Sequence, residues 1–314
     1  MKALFIIDPI ETLIYDHDTS FALMKVMAKN GVRVFCCQPG EIFYSVQTGA
    51  AAFAKEVSFD SKSPYSLGDS ATIQAADLSI ALMRKDPPLD SDYLYSTFVL
   101  DRFVTDGCKV VNSPESIRNF NEKTAIFEFQ QYMPKSFLGA SPLAISNFVE
   151  SVGGKAILKP LEGFAGKGIV KLDVNDANYN SLLEMMTDSG KHTVMVQEYL
   201  EAAKEGDKRV WLNGPNLVGA IIRVASGDEF RANMRVGAVA EACELSEYEK
   251  EISISVAKKL VKHGTHLIGL DLIGNKLTEV NITSPTGLQE IEQFYGGGAI
   301  EATVQYLIKL GQEA

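Results

Sequence analysis

Carboxylate and amide side chains lie close together between Asp271 and Asn281, and they suit a divalent metal. Glu279 and Asn281 are two residues apart on a predicted strand, so their side chains project from one face. Their oxygens are the ligands that Mg²⁺ takes beside phosphate groups. An edge hairpin with outward polar residues is the alternative, but the apolar neighbours on both predicted strands favour the metal site.

Whether Asp271 joins that site depends on the turn between the two predicted strands. A two-residue turn at Gly274–Asn275 pairs Asp271 with Thr278 and puts Glu279 on the other face. A three-residue turn pairs Asp271 directly with Glu279. The metal hypothesis therefore requires a loop with an odd number of residues.

Lysines beside a glycine-rich segment form a second candidate site, for phosphate. Lys159 ends a predicted strand of buried residues, where an ammonium must reach either solvent or an anion. The glycine-rich segment 162–169 joins two predicted strands, which excludes a Walker loop and a dinucleotide fingerprint because both lead into a helix. It can instead cover a polyphosphate with backbone N–H groups, although a surface hairpin has the same pattern. The other residues of this candidate site are Lys123, Gly163, Gly166, Lys167 and Gly168.

A purine site is the third candidate, where a predicted strand at Val194–Gln197 ends. Backbone groups of the segment Gln197, Glu198, Tyr199 and Leu200 can hydrogen-bond an adenine edge while the last two side chains enclose the ring. An ordinary strand end has the same spacing, and spacing alone favours that simpler interpretation.

Arginines without an obvious helical face suggest a small anionic substrate. Arg84 follows a predicted parallel strand at its carboxyl end, where open α/β sheets bind ligands. Arginine binds carboxylates through two parallel hydrogen bonds. Surface ion pairs are the alternative for each residue taken singly. The other basic residues in this set are Lys85, Lys208, Arg209, Arg223, Arg231 and Arg235.

Composition limits the class of protein that carries these residues. The 314 residues are 46% hydrophobic and 22% charged, which is typical of a globular protein. A net charge of -10 argues against nucleic acid or an anionic membrane as a partner. The four cysteines fit neither a zinc site nor a redox pair, so we expect a reducing cytoplasm and buried packing for Cys36 and Cys37.

The first third of the chain predicts a parallel sheet with helices on both faces. Its apolar runs alternate with helical patterns, one of them beginning at Ser20 as the N-cap and ending at Asn30–Gly31. The segment Gly40–Ser70 interrupts this alternation and is predicted to form an excursion or hairpin. The predicted strands are Lys2–Ile7, Val32–Cys37, Leu78–Met83 and Lys109–Asn112, and the second predicted helix is Asp92–Thr105.

A boundary is predicted near Ser113–Pro114, which can begin a helix. Beyond it the strand and helix patterns mix without alternation, as in α+β folds. One long amphipathic helix fits Glu247–His263, with a buried stripe of Ile252, Val256 and Leu260. The predicted strands are Ala156–Lys159, Ile169–Leu172, Val194–Gln197, Arg209–Leu212, Val218–Val224, Leu267–Leu272 and Leu277–Asn281.

Strings from the first strand to the last helix resemble the bacterial glutathione synthetases, a family of ATP-grasp ligases. The most specific are Met-Arg-Lys-Asp-Pro-Pro at Met83–Pro88 and Asn-Ile-Thr-Ser-Pro-Thr at Asn281–Thr286. The resemblance implies an N-terminal parallel-sheet α/β domain (1–118), followed by a two-part ATP-grasp domain with a central lid (119–200) and a C-terminal α+β part (201–314). It also implies a homotetramer or homodimer.

The resemblance implies a role for each candidate residue. Lys123, Lys159, Gly163, Gly166, Lys167, Gly168, Gln197, Glu198, Tyr199, Leu200 and Asp207 would bind ATP. Asp271, Glu279 and Asn281 would hold two Mg²⁺ ions, which Mn²⁺ can replace. Arg209 and Arg223 would stabilise charge during catalysis. Ser20, Arg84, Arg231, Asn233, Ser284, Pro285 and Thr286 would bind γ-glutamylcysteine.

Two positions depart from the family pattern. The lid has Ala165 and Lys167 where the family is richer in glycine, which implies a stiffer cover. After Asn233 the family continues into Gly-Gly-Arg-Gly, whereas this chain has Gly-Ala-Val-Ala with Val239 in place of the arginine. Arg235 is a candidate substitute for that arginine.

The chemistry that these parts predict is ligation through an acyl phosphate. A carboxylate attacks the γ-phosphorus of ATP without a general base, and the amine of glycine then displaces phosphate. Because none of the four histidines lies in these motifs, we expect no Ser, Cys or His nucleophile. Two alternatives remain: a ligase for another carboxylate and amine, suggested by Val239, and a nucleotide-binding regulatory module without turnover.

Overall fold

Three β-sheets follow one another along the chain. The computed structural model describes residues 1–60, 63–163, 166–225 and 237–313. Each of the predicted segments 1–118, 119–200 and 201–314 contains one of the sheets, and the division itself stays a prediction.

The first sheet has a parallel centre and an antiparallel extension. β1, β2, β6 and β7 run parallel, as the alternating pattern predicts, and the structure gives their order as β2-β1-β6-β7. β4 lies antiparallel to β2 and pairs with β3 and β5, so the excursion at Gly40–Ser70 adds three antiparallel strands. The strands are β1 (Lys2–Ile6), β2 (Arg33–Cys37), β3 (Ile42–Ser45), β4 (Gly49–Ser58), β5 (Ser66–Gln74), β6 (Ile80–Met83) and β7 (Lys109–Val111), and the helices are α1 (Thr19–Lys29), α2 (Ser91–Thr105) and α3 (Pro114–Asn119).

The predicted N-cap of α1 is wrong by two residues. Asp18, with extended backbone, caps the helix, and its carboxylate accepts from the Phe21 amide at 2.7 Å. A carboxylate is a stronger acceptor than a hydroxyl and also suits the helix dipole. Ser20 therefore lies inside the first turn, where its hydroxyl accepts a hydrogen bond from Arg84.

The other two sheets are antiparallel. The second has the order β10-β9-β11-β8, and the third has the order β14-β13-β12-β15-β16. Ile252, Val256 and Leu260 are buried, which confirms the predicted stripe of α6. The strands are β8 (Ser136–Gly139), β9 (Lys155–Pro160), β10 (Val170–Asp173), β11 (Val194–Glu198), β12 (Asp207–Asn213), β13 (Asn216–Val224), β14 (Val239–Ala242), β15 (Leu267–Ile273) and β16 (Lys276–Asn281), and the helices are α4 (Pro142–Ser151), α5 (Tyr179–Thr187), α6 (Glu247–Val261), α7 (Leu288–Phe294) and α8 (Ala299–Gln312).

The last helix returns to the first sheet. Leu307 and Leu310 of α8 are buried in the same cluster as Met24 and Met27 of α1. The backbone of Gly311 approaches so closely that a Cβ there would lie 2.6 Å from the Met1 side chain. The two ends of the chain therefore share one core.

Across the four described ranges, every helix is too short or too polar to cross a lipid bilayer. The four cysteines are free thiols, and Cys36 and Cys37 are buried in β2 as predicted. Burial raises the pKa of Cys36 to about 11.

Asn112 joins the first sheet to the third. Its amide nitrogen donates to the carbonyls of Leu267 and Ile282, and its oxygen accepts from the amides of His266 and Leu267. His266 in turn shares a hydrogen bond of 2.8 Å with the Tyr306 hydroxyl on α8. Burial lowers the pKa of His266 to about 4, so this junction is sensitive to acid.

The junction predicts a pH dependence of stability. The unfolded chain binds a proton at His266 near pH 6.5 but the folded chain only near pH 4, so stabilisation is complete above pH 6.5 and is lost as the pH falls toward 4. Between pH 6.5 and pH 5 we expect this residue to lower the free energy of unfolding by about 2 kcal/mol. Urea unfolding of His266→Gln lacks this component, whereas the exposed control His192→Gln keeps it. Equal pH dependence in both variants would contradict the assignment.

Candidate active site

An open cleft of about 1130 Å³, including solvent at its mouth, lies between the second and third sheets. It brings together most of the candidate residues for phosphate, purine and metal. The predicted site residues that line the cleft are Lys123, Lys159, Gly163, Gly166, Lys167, Gln197, Glu198, Tyr199, Leu200, Asp207, Arg209, Arg223, Asp271, Glu279 and Asn281. Side chains that are far apart in sequence thus face one space.

Lysines form the cover of the cleft. Lys159 is the next-to-last residue of β9, one residue before the end of the strand rather than at it as predicted. Its ammonium donates to the Thr278 carbonyl at 3.5 Å. Burial lowers the pKa of Lys159, which marks a cation that lacks full compensation. Lys123 is buried, donates to the Gly163 carbonyl and pairs with Glu279 at 3.6 Å, so it ties the glycine segment to the third sheet.

The glycine segment does join two antiparallel strands, β9 and β10. Residues 164–165 lie outside the described residues, and with them Ala165. Gly168 is not brought to the cleft: with φ +73° it lies against Pro160, where a Cβ would come within 2.9 Å of the proline ring. Its left-handed backbone shapes the turn, which is the physical reason for glycine at this position.

The end of β11 and the residues that follow it, 197–200, line another side of the cleft. The Glu198 amide donates to the Lys135 carbonyl at 2.9 Å, and the Tyr199 amide donates to the Lys155 carbonyl at 3.2 Å. The Lys171 ammonium lies 4.3 Å from the centre of the Tyr199 ring. Within the described part of the chain, the Leu200 amide has no acceptor, so it is the backbone donor left for a ligand.

The floor is the hairpin of β15 and β16, and the expectation that a metal site there requires an odd-length loop is wrong. The turn has two residues, Gly274 and Asn275, yet Asp271 pairs with Glu279. A β-bulge resolves the contradiction, because the register shifts between Asp271 and Leu272 and leaves Thr278 as an extra residue. The Thr278 hydroxyl donates to the Asp271 carbonyl at 3.1 Å and holds the bulge. The pairing required for a metal site is therefore present with an even turn.

Four charged side chains form a buried network beside the floor. Arg209 donates to both oxygens of Asp271, at 2.5 and 3.1 Å, and Arg223 lies 3.0 Å from Asp271 and 2.5 Å from Asp207. Burial acts to raise the pKa of Asp271, but the two arginines outweigh it and hold that pKa well below its ordinary range. Burial raises the pKa of Asp207, against the opposing effect of Arg223. The network fixes both guanidinium groups.

Unsatisfied atoms indicate what the cleft is built to hold. In the described part of the chain, Nε of Arg223, Oδ1 of Asp207 and the amide nitrogen of Asn281 are buried without a hydrogen-bond partner. A half-turn of the Asn281 amide presents its oxygen instead, which suits a cation. Since three of about four lone pairs on Asp271 are used by arginine, that carboxylate has about one left. The donor set fits a polyanion with a divalent cation.

The predicted substrate residues form a neighbouring group. Arg84 donates to the Ser20 hydroxyl at 3.0 Å and to the Pro285 carbonyl at 2.8 Å. Arg209 donates to the carbonyl of Thr286 at 3.0 Å, so successive backbone groups connect this set to the cleft. Ser284 is half-buried in the same segment. Arg231, Asn233 and Arg235 lie outside the described residues.

Val239 stands apart from these groups. It begins β14, is 55% exposed and pairs with Val224, next to the pair of Arg223 with Ala240. Val239, the position expected to carry an arginine, thus directly precedes Ala240, which pairs with the cleft residue Arg223.

One titratable residue of the cleft, Glu122, is not among the predicted site residues. Glu122, beside Lys123, accepts from the Thr283 hydroxyl at 2.5 Å, and burial together with Glu279 raises its pKa. The available signal is that Glu122 directly precedes Lys123, which the sequence does indicate as a phosphate ligand. The other lining residues that were not predicted are Pro134, Ile157, Ile169, Ala203, Ile273 and Thr278, which carry no chemistry that a pattern could reveal.

Two family models match nearly the whole chain. The prokaryotic glutathione synthetase N-terminal domain matches residues 1–118, and the prokaryotic glutathione synthetase ATP-grasp domain matches residues 122–296. Curated glutathione synthetases of Synechococcus elongatus and a Synechocystis species are 37% and 39% identical, over 98% of this chain and 98% and 99% of theirs.

Solved structures support the fold. D-cycloserine synthetase DcsG has a TM-score of 0.69 at 11% identity, over 99% of both chains. The ATP-grasp ligase PsnB, complexed with a minimal precursor, has a TM-score of 0.64 at 19% identity, over 98% of both chains. At these identities the likeness concerns the fold alone, which confirms the predicted fold class. With the curated relatives it confirms the predicted class of enzyme, an ATP-dependent ligase. The chain belongs to the prokaryotic glutathione synthetase family.

Proposed function

We propose that the chain joins glycine to the cysteinyl carboxylate of γ-glutamylcysteine with ATP, giving glutathione, ADP and phosphate. One observation carries the residue-level assignment: Lys123 and Lys159 line the same cleft as Glu279 and Asn281, with Lys123 3.6 Å from Glu279. Cations and oxygen ligands around one space suit a triphosphate that carries divalent metal.

The nucleotide occupies the cleft between the two antiparallel sheets. The Leu200 amide donates to the adenine edge, and Tyr199 borders the ring. Lys123, Lys159 and Lys167 hold the phosphates, assisted by the backbone of Gly163 and Gly166. The lowered pKa of Lys159 supports this role, because a phosphate would supply the charge that the cleft lacks.

Glu279 and Asn281 hold the metal ions, and Asp271 contributes its remaining lone pair. Two Mg²⁺ ions, or Mn²⁺ in their place, neutralise phosphate charge when they are bound. Asp271 chiefly orients Arg209 and Arg223, while Asp207 anchors the second arginine. Metal binding is therefore chiefly the role of Glu279 and Asn281, and the positioning of the two arginines is chiefly the role of Asp271 and Asp207.

The residues of the chain align two reactants and exclude water. A carboxylate is ionised at pH 7, so its attack on the γ-phosphorus needs alignment rather than a base. Arg209 and Arg223 face the oxyanion that forms when the glycine nitrogen, after losing a proton, attacks the acyl phosphate carbon. The C–N bond forms, the C–O bond to phosphate breaks, and the cover over the cleft protects the acyl phosphate from hydrolysis.

Self-association and a cytoplasmic location complete the proposal. Large apolar side chains on β3, β4 and α2 are exposed, among them Tyr44, Phe53, Tyr95 and Phe98. Such a surface supports a homodimer or homotetramer.

Four free thiols support a reducing compartment.

The reaction predicts strict dependence on both substrates. With ATP and Mg²⁺, we expect ADP release only when γ-glutamylcysteine and glycine are both present, with one glutathione formed per ADP. A coupled ADP assay and chromatography of thiols measure the two products. A panel of other dipeptides and amino acids tests the alternative that Val239 suggests, and turnover confined to another pair would refute the proposed function.

Lys159→Met removes the half-buried cation while keeping its length. We expect the KM for ATP to rise about 10-fold to 100-fold, because a charge-assisted hydrogen bond to phosphate is lost. The melting temperature of the unliganded protein should stay equal or rise, since desolvation of the ammonium no longer opposes folding. The control is Lys155→Met at the exposed start of the same strand. A wild-type KM in Lys159→Met would contradict the role.

Glu279→Ala removes the carboxylate of the floor. We expect ADP release to fall at least about 100-fold and the Mg²⁺ concentration for half-maximal rate to rise, because both the metal ligand and the partner of Lys123 are lost. The same assay measures both quantities over a Mg²⁺ titration. Glu241→Ala, exposed on β14, serves as control. Unchanged turnover in Glu279→Ala would exclude this metal site.

A further inference from the structure

A second chamber adjoins the nucleotide cleft. Its volume is about 710 Å³, including solvent at its mouth. It is lined by the loop after β6, by the segment after α3 and by the start of the glycine segment. Glu122, Lys123 and Gly163 line both spaces, so the chamber meets the cleft where phosphate is proposed to bind.

The charge that the chamber offers to a ligand is negative. Its charged lining residues are Lys123, Glu122 and Glu162. Lys123 is already engaged, because it donates to the Gly163 carbonyl and pairs with Glu279 at 3.6 Å. Two carboxylates remain, and they repel an anion and attract an ammonium group.

The rest of the chamber favours a small compound with little polar surface. Four of its lining residues have apolar side chains, namely Pro87, Leu89, Phe120 and Leu161. Such walls offer no hydrogen bonds, so a ligand is oriented by the few polar groups that converge on the space. The chamber therefore suits a small amine.

Glu122 is the carboxylate that lacks a cation. Its Oε1 accepts from the Thr283 hydroxyl at 2.5 Å, and its Oε2 has neither a hydrogen bond nor an ion pair with any described residue. Burial together with the neighbouring charge of Glu279 raises the pKa of Glu122. A carboxylate that is removed from water without a cation is costly, and an ammonium group would compensate it.

The position of the chamber matches the order of the proposed reaction. Pro87 and Leu89 belong to the loop that follows Arg84, the arginine predicted to bind the peptide substrate, whereas Lys123 and Gly163 belong to the phosphate wall. The chamber thus borders the expected sites of both partners in the acyl phosphate. An amine that enters there reaches the acyl carbon while the cover over the nucleotide still excludes water.

We propose that this chamber admits glycine to the cleft and that Glu122 binds the ammonium group of glycine. This inference rests on the proposed function. Glycine enters with its nitrogen first, because Glu122 and Glu162 repel its carboxylate. The nitrogen is thereby directed to the phosphate end of the cleft, where the acyl phosphate forms.

Glu122→Gln tests the assignment, because it keeps an acceptor for Thr283 and removes the charge. We expect the KM for glycine to rise about 10-fold to 100-fold, since a charge-assisted hydrogen bond is lost. The KM for γ-glutamylcysteine should stay within about 2-fold. The KM for ATP should stay equal or fall, because a negative charge beside Lys123 is removed. A coupled ADP assay measures each constant with the other two substrates saturating.

A purely structural role of Glu122 would give a different result. A displaced Lys123 would raise the KM for ATP together with that for glycine, and this joint rise, or an unchanged KM for glycine, would overturn the inference. Thermal unfolding verifies that Glu122→Gln is folded, and we expect an equal or higher melting temperature because a desolvated charge is removed.

Glu162→Gln removes the other carboxylate of the chamber as a matched comparison. Glu162 is exposed, so solvent screens its charge, and the KM for glycine should rise by no more than about 3-fold. Equal rises in Glu122→Gln and Glu162→Gln would overturn the assignment of the ammonium group to Glu122.

Leu89→Trp tests the route without changing a charge. Leu89 lines the chamber but not the cleft, so a larger side chain narrows only the chamber. We expect the KM for glycine to rise at least about 5-fold and the KM for ATP to stay within about 2-fold; a wild-type KM for glycine would overturn the route. If wild-type enzyme released no ADP with γ-glutamylcysteine and glycine, the proposed function would fail. If it did and neither Glu122→Gln nor Leu89→Trp raised the KM for glycine, only this inference would fail.

Discussion

The pairing of Asp271 with Glu279 determines which side chains the cleft can use. A hairpin with a two-residue turn and regular register would place these carboxylates on opposite faces of the third sheet. The bulge at Thr278 shifts β16 by one residue and brings both to the same face. Asp271 then reaches Arg209 and Arg223, while Glu279 reaches Lys123. The charge distribution of the cleft therefore depends on one extra residue in one strand.

The charged side chains around the cleft fall into two classes: those paired with each other and those whose charge is left for a ligand. Asp271 is nearly saturated by two arginines, and its low pKa keeps it ionised at neutral pH. Among the described residues, Lys159 has only a long contact with a carbonyl, and its pKa is lowered by burial. Desolvated charges are tolerated when they are paired and are costly when they are not. The unpaired ones accordingly mark where the nucleotide belongs.

Local patterns predicted the sheets well and the register poorly. The parallel direction of the strands around β1 follows from the alternation of strands and helices, and the buried stripe of α6 follows from its 3.6-residue period. The N-cap of α1 depends on whether Asp18 or Ser20 accepts from the helix, and the bulge depends on the hydrogen bond from the Thr278 hydroxyl to the Asp271 carbonyl. That choice is made by tertiary contacts, which a local pattern does not contain. Lys159 was recognisable because a cation in an apolar strand conflicts with its surroundings.

Contacts between distant parts of the chain bury charged groups that no local pattern singles out. Glu290 is one of two glutamates on α7, yet it is buried, and its partner His17 lies 273 positions away. The helix α7 contacts both α1 and α8, so residues from the two ends of the chain surround it. Buried charges oppose folding unless other contacts compensate for them. Asn112, with four hydrogen bonds between the first and third sheets, is one such contact between distant segments.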